Sequence, residues 1–412
     1  MHPNKLRFIR ILLASIVGLI LLLYLFIQIP WVQNKLIQKA TQTLSSSLNT
    51  DVKVGKVGFA LFNRLDLQDV LIRDQQKDTL VYTHTLKLRI SDIFFSTTTP
   101  IIKYIGLEGT KIHLHRNTEQ WNYQFLLDFL NKGAQKKNKG YDLKKIEIAQ
   151  IDFVQDDEWV GQSMHLKSAN IIANFSQFND SLIQIDQLVA NKPFYTIQNK
   201  KGLRKNIPNK KKTIHPIDEL YFGNPNTIIL AKEIKIKQGK LWIENDFAKP
   251  TPQFDGYHIR LNELNAQIEN ASFIKDTIKA KVVLSTKERS GFAIQQLKTQ
   301  FRMTPQIMEL NKLYLKTNKS ILGPYYAMEY KDLVEDFSDY IHKVNMRAHL
   351  INAQVATDDI AFFAPELNSI HQKVNASFKF NGTVADFKTE GLSAQYNNSF
   401  VKGNFSMKGI PE

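Results

Sequence analysis

Apolar residues recur along this chain in two rhythms. Val32, Leu36, Ala40, Leu44 and Leu48 stand four apart, with Lys35, Gln38, Lys39 and Gln42 on other faces, which predicts one amphipathic helix opening at Pro30 and filling residues 30–50. From Asp51 the period falls to two and largely stays there. Leu65/Leu67, Leu86/Leu88/Ile90, Ile112/Leu114 and Ile146/Ile148 are the first such runs. Ile183/Ile185, Ile234/Ile236, Leu241/Ile243, Ile259/Leu261 and Ile278/Ala280/Val282 continue them, and Leu313/Leu315, Phe378/Phe380 and Phe405/Met407 follow. Gln238-Gly239, Asn381-Gly382, Glu390-Gly391 and Lys402-Gly403 read as turns between strands. Short strands with one wet and one dry face predict an antiparallel sheet, a long meander.

Three helical stretches interrupt the alternation. In WNYQFLLDFLNKG, Trp121, Phe125 and Phe129 share a stripe that stops at Gly133, read as a C-cap. Leu333, Phe337, Tyr340 and Ile341 form a second stripe, and Thr357 before Asp358 and Asp359 reads as the N-cap of a brief helix ending at Pro365.

Before the first helix, Ile11 to Ile29 carries no charge, and as a helix it would span roughly 28 Å, close to a bilayer's hydrocarbon thickness. Lys5, Arg7 and Arg10 precede it, which places residues 1–10 in the cytoplasm and the chain after Ile29 across the membrane. The run ends in Gln28, Ile29, Pro30 and Trp31 rather than at a small-residue cleavage site, so it reads as an uncleaved anchor. Residues 51–412 then form one large β-domain, with a break point near 200–215.

Composition narrows the chemistry. The chain of 412 residues has no cysteine, which excludes disulfides, thiolate nucleophiles and Cys-type zinc sites. Its net charge of +15 suits anionic partners, but much of it sits in two glycine- and proline-broken clusters, Lys132 to Lys145 and Lys200 to Lys212, that read as solvated loops. GxGxxG, GxxxxGK[ST], GxSxG and HExxH are all absent. His113 and His115 fall on one strand face without a visible third ligand, and Asp156, Asp157 and Glu158 before Gly161 read as a charged hairpin tip. Phe378, Lys379 and Phe380 interleave aromatic and basic residues, but a strand sends them to opposite faces, unlike a nucleic-acid stacking platform. The reading is a non-enzymatic chain with no cofactor and no metal.

Alternation leaves open whether the dry face closes on itself or stays an apolar trough. The order of motifs resembles the N-terminal part of TamB-like proteins of the AsmA-like superfamily, in the long form found in Bacteroidota. The resemblance rests on the anchor, on Leu65, Leu67, Asp69, Val70, Ile72 and Asp74, on Asp78 to Tyr82, and on Trp121 to Asp128. It continues in Leu284 to Phe292, Leu313 to Thr317, Ser320 and Phe362 to Leu367. The long C-terminal region of that family is missing from the sequence after Glu412.

The resemblance implies an inner-membrane-anchored periplasmic protein. Its strands would stack into an elongated, curled, taco-like sheet whose apolar groove carries phospholipid toward the outer membrane. The alternative it implies is a scaffold for outer-membrane protein assembly or secretion with a TamA-like barrel partner. Lipid contacts would fall on the alternating residues Leu65, Leu67, Leu86, Leu88, Ile90, Ile112, Leu114, Ile146 and Ile148 near the anchor. Farther along they would fall on Ile234, Ile236, Ile259, Leu261, Leu313, Leu315, Phe378 and Phe380.

Overall fold

A computed structural model describes residues 29–60, 64–91, 101–134, 143–179, 181–204 and 227–409. Among them the chain is mainly β, with twenty strands and five α-helices. It divides into two compact units, Met1–Asp156 and Asp157–Glu412. The strands on either side of residues 200–227 lie together in the second unit.

The first unit opens with the expected helix, α1 (Pro30–Leu48), with proline in its first turn. Asn49 ends it in a left-handed conformation, φ 51°, and donates its N–H to Ser45 O. The Thr50 hydroxyl then bonds the carbonyls of Arg73 and Asp74, which ties the helix end to the sheet. Strands β1 (Val52–Lys53) and β2 (Lys56–Ala60) both pair with β3 (Arg64–Arg73), and β4 (Thr79–Ser91) and β5 (Ile101–Arg116) continue the antiparallel ladder. Buried Asp74 locks the β3–β4 turn by accepting the N–H groups of Gln76 and Asp78 at 3.0 and 2.9 Å. α2 (Gln124–Ala134) and β6 (Lys145–Asp157) complete the unit.

α2 departs from expectation at both ends. Trp121 and Tyr123 stay in the preceding turn, because the Asn122 side chain is clamped to β5 and the Trp121 ring stacks on Tyr123 at 5.6 Å. At the other end the helix passes through Gly133 instead of capping there. The run Ile11 to Gln28 lies outside the described residues, and among those described no helix is long and apolar enough to cross a membrane. Most of each basic cluster lies outside them as well.

The second unit begins with β7 (Gln162–Phe178), β8 (Leu182–Asn191) and β9 (Phe194–Asn199). The tip between β6 and β7 is the expected charged one, where Asp157 accepts the N–H of Gly161. β8 and β9 are two halves of one line, both antiparallel to β7, broken at Lys192-Pro193. β10 (Ile228–Asn245) then pairs parallel with both. The sheet is therefore mixed, not the antiparallel meander expected. Periodicity cannot report strand direction, but a parallel return needs a connection of a dozen or more residues, and residues 200–227 supply it.

Antiparallel pairing resumes through β11 (Ile259–Ile274), β12 (Thr277–Glu288), β13 (Ala293–Met303) and β14 (Ile307–Lys316). β15 (Ile321–Leu322) and β16 (Pro324–Glu329) share the next position, followed by β17 (Asn345–Ala356), β18 (Lys373–Gly382), β19 (Asp386–Tyr396) and β20 (Ser399–Lys408). The second helical stripe is broken at Asp339 into α3 (Leu333–Ser338) and α4 (Tyr340–Lys343). In α5 (Thr357–Ile360) the cap position belongs to Ala356, and the Thr357 hydroxyl bonds Gln372 O across the loop instead.

Three of the four turn signals are not turns. Gln238-Gly239, Glu390-Gly391 and Lys402-Gly403 lie inside β10, β19 and β20, where Gln238 has φ 53° and Gly391 φ 62°. A left-handed residue serves a β-bulge as well as it serves a hairpin, so the same dipeptides lengthen strands here instead of ending them. Further bulges fall at Glu263, Lys312 and Asn352, each with positive φ and a register shift. Buried hydroxyls occupy the gaps they leave: Thr286 bonds Asn262 O and Thr299 bonds Asn311 O, each at 2.9 Å.

Candidate functional site

Directly opposed residues on neighbouring strands share a face, so the registers show which apolar side chains meet. In the first unit Leu65 faces Leu88 and Leu67 faces Leu86, as alternation predicts, and Ile105 and Leu107 on β5 extend both lines. Ile90 faces Ile102. Ile112 does not join them; it faces Val81 in a separate row beyond the irregularity at Asp69 and Gly109, both left-handed. Leu114, Ile146 and Ile148 are half-buried on β5 and β6.

The second unit carries a longer arrangement. Ile171, Ala190, Ile236 and Ala266 oppose one another from β7 to β11, and Leu284, Leu297, Leu315 and Leu322 continue the same row to β15. Four residues back along β12 a second row starts at Ala280 and crosses Phe301, Leu310, Tyr326, Ala348 and Phe380, then passes Thr389 to Phe405. Beside it a third runs from Ile278 through Met303, Met308, Met328 and Met346, then past Gly382 to Phe387 and Met407. Ile278, Ala280 and Leu284 lie at even positions of one unbroken strand, so all three rows share a face. Eight strands about 4.8 Å apart make the last row about 34 Å long, twice the roughly 15 Å of one leaflet's acyl layer.

This lane is half-buried rather than closed. Its large side chains shield one another, while the intervening Lys279, Lys281 and Val283 are exposed on the other side, Val283 by 40%. Among the described residues eighteen apolar residues are buried, and eight of them are alanines. A face packed against a second layer would bury its leucines, isoleucines and phenylalanines. The reverse face is polar, with ion pairs such as Arg302–Glu309 at 2.7 Å and Arg347–Glu329 at 2.6 Å.

The bulges build this face. Leu310 and Leu315 are five apart and would point to opposite sides of a regular strand; the extra residue at Lys312 turns both toward the lane. Of the sequence candidates, Ile234 joins through Ile268 and Leu188, Phe378 through Leu350, and Ile236, Leu315 and Phe380 lie in the rows above. Ile259 and Leu261 pair with Ile243 and Leu241 at the far end of β10. Leu313, two residues before Leu315 on the same strand, is on the same side but buried, 6% exposed. The methionine row was missed because its members fall on different strands, which single-chain periodicity does not align.

One border of the lane is covered by α4. The Tyr340 hydroxyl contacts Tyr326 Oη and Met346 Sδ, each at 3.1 Å, and burial raises the Tyr326 phenol above its ordinary value, with Tyr340 adding to the effect. At the opposite strand ends His258 is buried between two acceptors, Glu244 Oε2 and Ala248 O, each at 2.9 Å. The Glu244 bond raises its pKa against the opposing effect of burial. Burial also pushes Glu244 up, but Arg260 and His258 outweigh it and hold the carboxyl below its ordinary value.

Among the described residues one group could bring three metal-type ligands together: Asp74, Asp78 and His115, with ligand atoms within 4.8 Å of one another. Of the His113/His115 pair only His115 belongs to this group. The Asp74 carboxylate already accepts two backbone N–H groups and the Asn122 amide, so the arrangement reads as a turn lock. His113 contributes its carbonyl to the same network. No family model and no curated protein matches this sequence.

Proposed function

We propose that the protein is a non-enzymatic lipid carrier in which phospholipid acyl chains lie along the apolar lane while head groups stay at its wet border. The observation that carries this reading is the lane itself: three largely apolar rows left half-buried on one face of a sheet whose other face is charged. Covering such a face with acyl chains gains about 25 cal/mol per Å² removed from water, and movement along it requires no covalent step. Ile11 to Ile29, read as a membrane anchor, would keep the lane beside its lipid source. Resemblance to TamB-like proteins extends the proposal to periplasmic transport of phospholipid between inner and outer membranes.

The test is mass spectrometry of lipids retained by the full chain purified from membranes, against a β-rich control of similar size. Several phospholipids per chain are expected. A folded, monodisperse protein without lipid would overturn the reading.

A second reading has its own observation. Among the described residues β20 pairs only with β19, and Phe400, Val401 and Phe405 on it are 55%, 58% and 45% exposed. An edge of this kind is suited to strand addition, the way a scaffold for outer-membrane proteins with a TamA-like barrel partner would hold its clients. Crosslinks from β20 to unfolded barrel proteins in the absence of lipid would favour it.

A further inference from the structure

The first unit holds a second concavity, lined differently from the lane. The β3–β4 turn, the end of β5, the loop after it and the first turns of α2 enclose about 420 Å³, the size of a small-molecule site. Six of its twelve lining residues are side-chain amides, Gln75, Gln76, Asn117, Gln120, Asn122 and Gln124. Trp121 and Phe125 add aromatic surface, and the one cation, Arg116, is balanced by one anion, Asp128.

That composition selects a ligand class. Each amide offers a donor and an acceptor side by side, which complements vicinal hydroxyl groups that also donate and accept. Phe125 adds an aromatic ring of the kind that accommodates the C–H face of a pyranose, while the Trp121 ring, stacked on Tyr123 at 5.6 Å and in contact with Arg116, lines the wall beside it. An anion is disfavoured, because Arg116 already lies 4.7 Å over the Trp121 ring and contacts Glu119 O, with Asp128 in the same wall. An acyl chain is disfavoured by the amides, which it would strip of water without replacing their bonds.

Part of the wall is set in advance. Asn122 Oδ1 accepts the backbone N–H of His115 at 2.9 Å, which turns its NH2 toward Asp74 Oδ2 and His113 O, both at 3.1 Å, and His115 Nδ1 at 2.9 Å, three neighbours sharing two hydrogens. Asp128 orients the Gln124 amide at 3.1 Å.

We propose that this cleft binds a neutral polyhydroxylated ring, the chemistry of a hexose, presented either as a free saccharide or as a glycolipid head group. The inference does not depend on the lane holding lipid. It is tested on the full chain in a polyoxyethylene detergent, which carries no sugar, by saturation-transfer NMR and tryptophan fluorescence. The probes are cellobiose, maltose and the N-acetylglucosamine disaccharide, glucosyl diacylglycerol in phosphatidylcholine vesicles, and inorganic phosphate as the anionic competitor.

Saturable binding of at least one sugar is expected. It should weaken at least about tenfold in Trp121→Ala and in the surface variant Gln120→Ala, and stay unchanged in Lys281→Asp, an exposed position outside both cleft and lane. Binding of free disaccharide identifies a free saccharide, and binding confined to the glucosyl vesicles identifies a head group. Absence of saturable binding in both forms, binding unaffected by both cleft variants, or displacement by phosphate would overturn the proposal.

Discussion

Leu284 sits where the lipid reading can be tested by a single charge. It opposes Ala266 on one side and Leu297 on the other, and it is half-buried on the lane face. A leucine side chain contributes about 2 kcal/mol when fully removed from water, so a half-buried one has about 1 kcal/mol still to gain when an acyl chain covers it. Leu284→Asp forfeits that gain. It also places under the acyl chain a carboxylate whose desolvation costs at least about 2 kcal/mol more. Together these weaken lipid association by about 3 kcal/mol, more than a hundredfold. The unliganded fold should lose far less, because an aspartate at a half-exposed position can still reach water. The assay counts phospholipids per chain by native mass spectrometry and records melting temperature in parallel. Lys281→Asp, on the reverse face of the same strand, serves as the control and should retain its lipid. A folded Leu284→Asp protein carrying the wild-type lipid complement would refute the assignment of this face.

The structure makes three further predictions. With both ring nitrogens donating, His258 is stabilised as the cation and its folded pKa lies above the ordinary value near 6.5. Its contribution is therefore full below about pH 6.5 and is lost as pH rises through the folded value, so the melting-temperature gap between wild type and His258→Gln should close toward alkaline pH; a constant gap would contradict this. Thr83→Val should lower stability by about 1–3 kcal/mol in urea at unchanged slope, since the buried Thr83 hydroxyl bonds Thr85 O, Glu108 O and Thr110 Oγ1. Gly161→Ala should cost more than about 2 kcal/mol by the same measurement, because Gly161 has φ 90° and an added Cβ would come within 2.5 Å of Gly202 N.

Much of the fold is legible in the sequence because each strand has one wet and one dry face. The pairs Leu65/Leu67 and Leu86/Leu88 identify not only two strands but, through Leu65–Leu88 and Leu67–Leu86, the face they share. What escapes is whatever depends on neighbours. Lys312 and Asn352 carry no local mark as bulges, yet they decide which side Leu310 and Ala353 face. The glycines at 239, 391 and 403 do carry a mark, but a left-handed residue has two uses and the nearest text does not say which. The parallel step at β10 is likewise invisible, since direction leaves no trace in alternation. The amide-lined cleft was hidden in a segment read as helix; its residues converge only when Asn122 holds Trp121 off the start of α2.

The methionine row has a consequence for redox chemistry. The chain has seven methionines and no cysteine, and five of the seven, Met303, Met308, Met328, Met346 and Met407, border one edge of the lane. Thioethers conform well to irregular apolar guests, but each one oxidised becomes a polar sulfoxide. With no thiol in the chain to react first, peroxide chemistry falls on the surface that must stay apolar. The expected damage is a stepwise wetting of one border of the sheet, reversible by methionine sulfoxide reductases, in a protein that otherwise remains folded.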